Sequence, residues 1–122
     1  MSPKQPVSIR TFYRIVLENP PASGDFESYF EMGKHPTDDP EWNRLASGYS
    51  VYSTLGYSRR KAKAYPWKSQ CFIAELRIPE THPFHIERSG PKSKHYTIWG
   101  NGELLRSMIL RVLPVREDKE NV

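Results

Sequence analysis

A single cysteine, Cys71, is all that the 122-residue chain carries. No disulfide can close within it, and a reducing compartment is the expected setting. Long apolar runs are missing as well. No stretch approaches the roughly 18 residues that a membrane-spanning helix requires, so no membrane partner is expected. The opening Met-Ser-Pro-Lys-Gln-Pro lacks the apolar centre of a secretory signal. The expected location is the cytoplasm or, for a toxin, a destination reached by a machine that needs no signal peptide. Glycine is sparse, at 7 residues, and forms neither a phosphate-cradling loop nor a hydrolase elbow. His82-Pro-Phe-His85 has no further ligands at metal spacing, so no metal is expected.

What is present points to one small domain. A chain of this length buries roughly two-thirds of its unfolded surface, enough for a core without staples. Aromatic residues make up 12% of the sequence and proline contributes 11 residues. These numbers predict a ring-rich core and several ordered turns. The net charge of +4 suits a polyanionic ligand, a dinucleotide or a nucleic acid alike. Residues 1–7 and 116–122 read as flexible ends; the latter are charged and lack an apolar period.

Between them, 8–115 reads as a single α+β domain. Period-two patterning predicts strands over 8–17, 49–53, 71–78, 84–87, 95–99 and 108–115. A helix is expected from Ser23 or Asp25 to about Met32, a helical turn over 41–46, a helix over 57–65 stopped by Pro66, and a turn over 102–107. In the clearest strand, Phe72, Ala74, Leu76 and Ile78 alternate with Glu75 and Arg77. In the last, Ile109, Leu110, Val112 and Leu113 are expected to be mostly buried.

Three segments could carry chemistry. Arg14 shares a strand face with Phe12 and Val16. A guanidinium there needs a partner or an anion, and its fork suits phosphate or ribose-phosphate. The plainer reading is an edge-strand arginine in water. Residues 48–65 place Tyr52, Ser53 and Thr54 where a strand gives way to a helix. Tyr52 could stack on a flat heterocycle, and the hydroxyls could bond an amide or cap the helix. The plainer reading is a strand-to-helix joint with an aromatic core. Lys94-His-Tyr-Thr-Ile-Trp-Gly100 opens a strand with His95, either an acid–base or hydrogen-bonding group or an ordinary surface histidine. Separately, Arg59, Arg60, Lys61, Lys63 and Lys68 interleave with Tyr57, Tyr65 and Trp67. That pattern fits a nucleic-acid backbone with stacked bases, or equally the solvated face of a helix.

Taken in order, the three segments resemble the ADP-ribosyltransferase superfamily. Phe12-Tyr-Arg-Ile15 resembles the first strand of the cholera-toxin type, which carries an arginine after an aromatic. Residues 48–65 are similar to the second motif of the poly(ADP-ribose) polymerase type, with Tyr52 as the nicotinamide-stacking tyrosine and Tyr65 as the second tyrosine. The same stretch resembles the Ser-Thr-Ser motif of the cholera-toxin type, with Ser53 and Thr54 as its first two members. His95-Tyr-Thr-Ile-Trp99 is similar to the polymerase-type strand that carries the catalytic glutamate before a tyrosine. Here His95 stands in the glutamate position.

The resemblance spans about 9–115. It implies a split β-sandwich with short helices after the first and second strands. It further implies NAD as substrate, with Arg14, Tyr52 and His95 as catalytic residues and Arg14, Tyr52, Ser53, Thr54 and Tyr65 as cofactor-binding residues. The implied activity is NAD-dependent mono-ADP-ribosyl transfer to nucleic acid or protein; the basic pattern of Arg59, Arg60, Lys61 and Lys63, read apart from the resemblance, makes nucleic acid the first guess for the acceptor. Neutral imidazole lacks the charge by which the family's glutamate steadies the sugar cation, which disfavours chain elongation. Glu103, Glu75 and Glu87 are the carboxylates that could stand in. The alternatives are an NAD hydrolase and a non-catalytic nucleotide- or nucleic-acid-binding module.

Overall fold

The computed structural model of the chain describes residues 9–28, 30–31, 33, 35–64, 71–79, 81–89 and 94–116. It is a small α+β domain. Strand β1 (Ile9–Val16) is followed by a single 3-10 turn at Ser23–Phe26 and helix α1 (Pro40–Ala46). Then come β2 (Tyr49–Tyr52), α2 (Leu55–Lys63), β3 (Phe72–Pro79), β4 (His85–Arg88), β5 (His95–Trp99), α3 (Gly102–Arg106) and β6 (Ile109–Pro114). All six strands belong to one antiparallel sheet, ordered β4-β5-β2-β1-β3-β6. The expectation of two packed sheets is corrected to one sheet with a seam. β1 pairs with β3 over its full length, but with β2 only at Tyr13 and Tyr52.

Each face of the sheet has its own core. On one face Phe12, Val16, Tyr49, Val51, Leu76, Ile78 and Ile98 pack with Phe26, Phe84 and Leu105. On the other, Tyr13, Ile15, Ile73 and Leu113 meet Leu55 and Ala62 of α2. This double cover is why simple alternation fails in β3, where Ile73, Ala74, Glu75 and Leu76 are all buried. Helix α2 starts two residues earlier than the pattern suggested, because the Thr54 side chain accepts the Tyr57 amide and caps it.

Two further expectations are corrected. The helix expected to reach about Met32 is the one turn at Ser23–Phe26. The Asp25 carboxylate accepts the backward-lying amides of Leu17 and Ala22. Arg14 takes the carbonyls of Asp25 and Glu27, which a continuing helix would have turned along its own axis. In β6 a register shift opposite Glu75 and Leu76 leaves Leu110 unpaired, and its side chain is 54% exposed. The strand lies at the sheet edge, where such bulges are common.

Gly48 leads into β2 at a point of close approach. A Cβ there would lie 2.5 Å from Thr97 Cγ2 and 3.0 Å from the Ile98 carbonyl oxygen. Gly48→Ala must push β2 away from β5. The expected cost is about 1–3 kcal/mol, the usual range for overpacking, read as a lower midpoint in urea unfolding with an unchanged slope.

Candidate functional site

The register sets side chains from five strands in one row across the α2-bearing face. Arg111 of β6 lies opposite Glu75 of β3, Glu75 opposite Tyr13 of β1, Tyr13 opposite Tyr52 of β2, and Tyr52 opposite His95 of β5. In-register neighbours point to the same side, roughly 5 Å apart. The Tyr52 ring meets the His95 ring edge-on, with centroids 5.4 Å apart at 63°. The ring of Tyr57, from the first turn of α2, has its centre 5.6 Å from that of Tyr52. The Arg60 guanidinium and the Lys61 ammonium each sit 5.5 Å from the Tyr57 ring centre. The result is a partly covered patch of two tyrosines and an imidazole, edged by two cations. Flat heterocycles stack on such rings, and cations beside them suit an anionic ligand.

Burial holds the pKa of His95 below its usual 6.5, and the charge of Lys61 adds to that, against an opposing hydrogen bond with the backbone of Ser89. The ring is therefore neutral at pH 7. Neutral imidazole can exchange one hydrogen bond with a ligand hydroxyl, but it offers no negative charge.

The other expected site residues divide. Ser53 is half-buried beside Tyr52, and its amide donates to the Lys94 carbonyl at 2.9 Å. The Thr54 hydroxyl accepts the Tyr57 amide at 3.2 Å as the helix cap. Tyr65 and Lys68 lie outside the described residues. Arg59 turns to the far edge of the sheet, its Nε donating to the Pro114 carbonyl at 3.1 Å. It is thereby drawn away from Arg60 and Lys61, and Lys63 is exposed.

Arg14 is not brought to this patch, although the resemblance groups it with Tyr52 and His95 as a catalytic residue. The register gives Tyr13, not Arg14, to the Tyr52 side. Arg14 points to the opposite face, over the rings of Phe26 (5.2 Å) and Tyr49 (5.5 Å). Its Nε donates to the Asp25 carbonyl at 2.9 Å, Nη1 to that of Ser50 at 2.8 Å and Nη2 to that of Glu27 at 3.4 Å. On that face a cavity of about 240 Å³ is lined by Phe26, Glu27, Glu31, Tyr49, Asn101 and Glu103 among others. Tyr49 donates its hydroxyl to Glu31 at 3.0 Å, and burial together with that carboxylate pushes its pKa up to about 12.

Of the three carboxylates named as stand-ins, only Glu75 lies in the row of Tyr52 and His95. Glu103 borders the cavity on the opposite face and pairs with Arg106 at 3.0 Å. Glu87 is bound by Arg44 and His85. His82 accepts the Phe84 amide through Nδ1. Among the described residues no helix is long and apolar enough to cross a membrane. No protein-family model, curated protein or solved structure matches the chain significantly.

Two experiments separate support from contact. Arg14→Ala strands three carbonyls and should cost about 3 kcal/mol, roughly a 10 °C drop in Tm for a domain of this size. Tyr52→Ala removes only a half-buried ring and should lower Tm far less, as differential scanning calorimetry of the pair will show. His95 gives a pH signature. Its folded pKa is depressed, so below about pH 6.5 the unfolded chain binds the extra proton and stability falls as pH falls. In His95→Gln the stability–pH curve should be flatter from about pH 6.5 down to where carboxylates begin to titrate.

Proposed function

We propose that the chain binds NAD at the Tyr52–His95 patch and cleaves its nicotinamide–ribose bond as a mono-ADP-ribosyltransferase. The observation that carries this reading is the pairing of Tyr52 with His95 on one face, ring against ring. These are the two residues that the family resemblance names as the nicotinamide-stacking tyrosine and the group in the glutamate position. Tyr52 stacks on the nicotinamide. His95, neutral, bonds a ribose hydroxyl. The bond from the ribose anomeric carbon to the nicotinamide nitrogen breaks, and its electron pair leaves with neutral nicotinamide. The acceptor nucleophile bonds to the same carbon and gives up its proton to water. Arg60 and Lys61 face a polyanionic acceptor or the diphosphate. Arg14 acts as a positioning residue that holds β2 against β1.

The passing state carries positive charge on the sugar, as in glycoside cleavage, and His95 does not offset it. Turnover is therefore slow, and His95→Glu should raise it. One well-placed charge contributes about 10²–10³ in rate in other active sites, so a gain of at least about tenfold is expected. The assay is nicotinamide release from NAD, followed by chromatography, with RNA, DNA or protein supplied as acceptor. Release that depends on acceptor, is lost in Tyr52→Ala and rises in His95→Glu supports the transferase; release without any acceptor indicates a hydrolase. Folded protein that releases nothing, in either the native or the His95→Glu form, overturns the enzymatic reading.

A second reading has its own support. The cations stacked on Tyr57 suit a nucleotide- or nucleic-acid-binding module without turnover. Binding of single-stranded RNA that weakens steeply with salt, with no nicotinamide release, would favour it.

A further inference from the structure

Glu75 is a carboxylate at 3% exposure in the middle of a sheet, and two arginines meet it. Arg111, opposite it on β6, donates Nε to one oxygen at 2.9 Å. Arg77, two residues along β3, brings Nε to 3.7 Å from the other oxygen. Both contacts use the inner nitrogen of the guanidinium. Among the described residues, the terminal nitrogens of Arg77 and Arg111 make no hydrogen bond, and the two side chains are 51% and 58% exposed. A buried carboxylate requires a charged partner, and one would suffice. Here the Arg111 fork is anchored at its base by a hydrogen bond and the Arg77 fork is held nearby by charge, with their outer donors facing solvent from the same side of the sheet. A guanidinium fixed at Nε loses less freedom when its remaining donors close on a phosphate.

Their location gives the pair a context. Glu75 and Arg111 continue the row that holds Tyr52 and His95, with Tyr13 between. Two strand spacings, about 10 Å, separate Tyr52 from Glu75. The bulge in β6 falls beside them, between the pairings Glu75–Arg111 and Leu76–Ile109. Bulges commonly re-aim a side chain next to a working site, and Arg111 is the first residue past this one.

We propose that Arg77 and Arg111, set by Glu75, form a phosphate-binding subsite for the nucleotide whose base or nicotinamide rests on Tyr52. The ligand class is a diphosphate ester. The proposal rests on the reading of the Tyr52 patch for its second half, the link to a base. The subsite itself depends only on the arginine pair.

The test is calorimetric titration of the native protein, of Arg77→Gln/Arg111→Gln and of Tyr52→Ala. The probes are ADP-ribose, inorganic pyrophosphate and nicotinamide. The double variant leaves Glu75 buried without a charged partner and should lose stability, so circular dichroism and Tm check that it folds; single Arg111→Lys, which keeps a charge beside Glu75, serves if it does not. The native protein is expected to bind ADP-ribose and, more weakly, pyrophosphate. The double variant should lose at least tenfold in affinity for both while binding nicotinamide as before. Arg111→Lys should recover part of that loss, since it keeps the charge without the fork. Tyr52→Ala should lose nicotinamide and keep pyrophosphate. If native protein binds pyrophosphate through the arginines but no nicotinamide, the subsite stands and the NAD reading fails. Equal ADP-ribose and pyrophosphate affinity in the native and arginine variants, or no binding of either to native protein, overturns the subsite.

Discussion

Between β1 and β2 the backbone ladder shrinks to one residue pair, Tyr13 with Tyr52, and the Arg14 guanidinium takes over where the ladder stops. Nη1 reaches the Ser50 carbonyl of β2, while Nε and Nη2 hold the carbonyls of Asp25 and Glu27 in the connection that follows β1. One side chain therefore joins the two halves of the sheet, β4-β5-β2 and β1-β3-β6, and anchors the crossing segment to both. Charged donors to carbonyls are stronger than neutral ones, and the flanking rings of Phe26 and Tyr49 keep water away from the cation. Everything on the other face inherits its alignment from this joint. If β2 slid by one residue, Tyr52 would change faces and leave both His95 and Tyr13.

Much of the fold was legible from pattern alone. The six strands emerged where period-two runs placed them, and β5 spans the same 95–99 that the sequence suggested. Failures came where a tertiary contact overrode a local signal. The apolar residues after Ser23 favoured a helix, but Arg14 and the backward-facing Asp25 consumed its first turn. Leu110 looked like core and became the extra residue of a bulge. Glu75 and Arg77 looked like the wet side of an amphipathic strand. Helix α2 packs on that face instead, and Glu75 is buried while Arg77 is half out.

The candidate site was legible in its parts and not in its assembly. Tyr52 and His95 were each singled out from local pattern, and their contact follows from a strand register that no local pattern states. Arg14 was singled out too, for a sound reason: a guanidinium on an apolar strand face must be satisfied. The partners turned out to be carbonyls of its own chain, 11 to 36 residues away in sequence. Arg111 carries no local signal, being in the sequence simply one residue of the last strand. Only its register opposite Glu75 joins it to the row.

Charge along that row is graded. At one end the His95 ring is neutral, kept so by burial and by Lys61. In the middle stand Tyr13 and Tyr52, uncharged and aromatic. At the other end Glu75 carries one negative charge against the two positive charges of Arg77 and Arg111, for a net excess of one positive charge. Cations border the row near both ends, with Lys61 and Arg60 beside the aromatic patch. A ligand matched to this gradient is flat and neutral or cationic where it meets Tyr52, polar where it meets His95, and anionic where it reaches the arginines. A lone phosphate fits only the last part, and a lone heterocycle only the first. On the proposed reading, a molecule that carries both an aromatic ring and a diphosphate would engage more of this row than a simple anion or a free base.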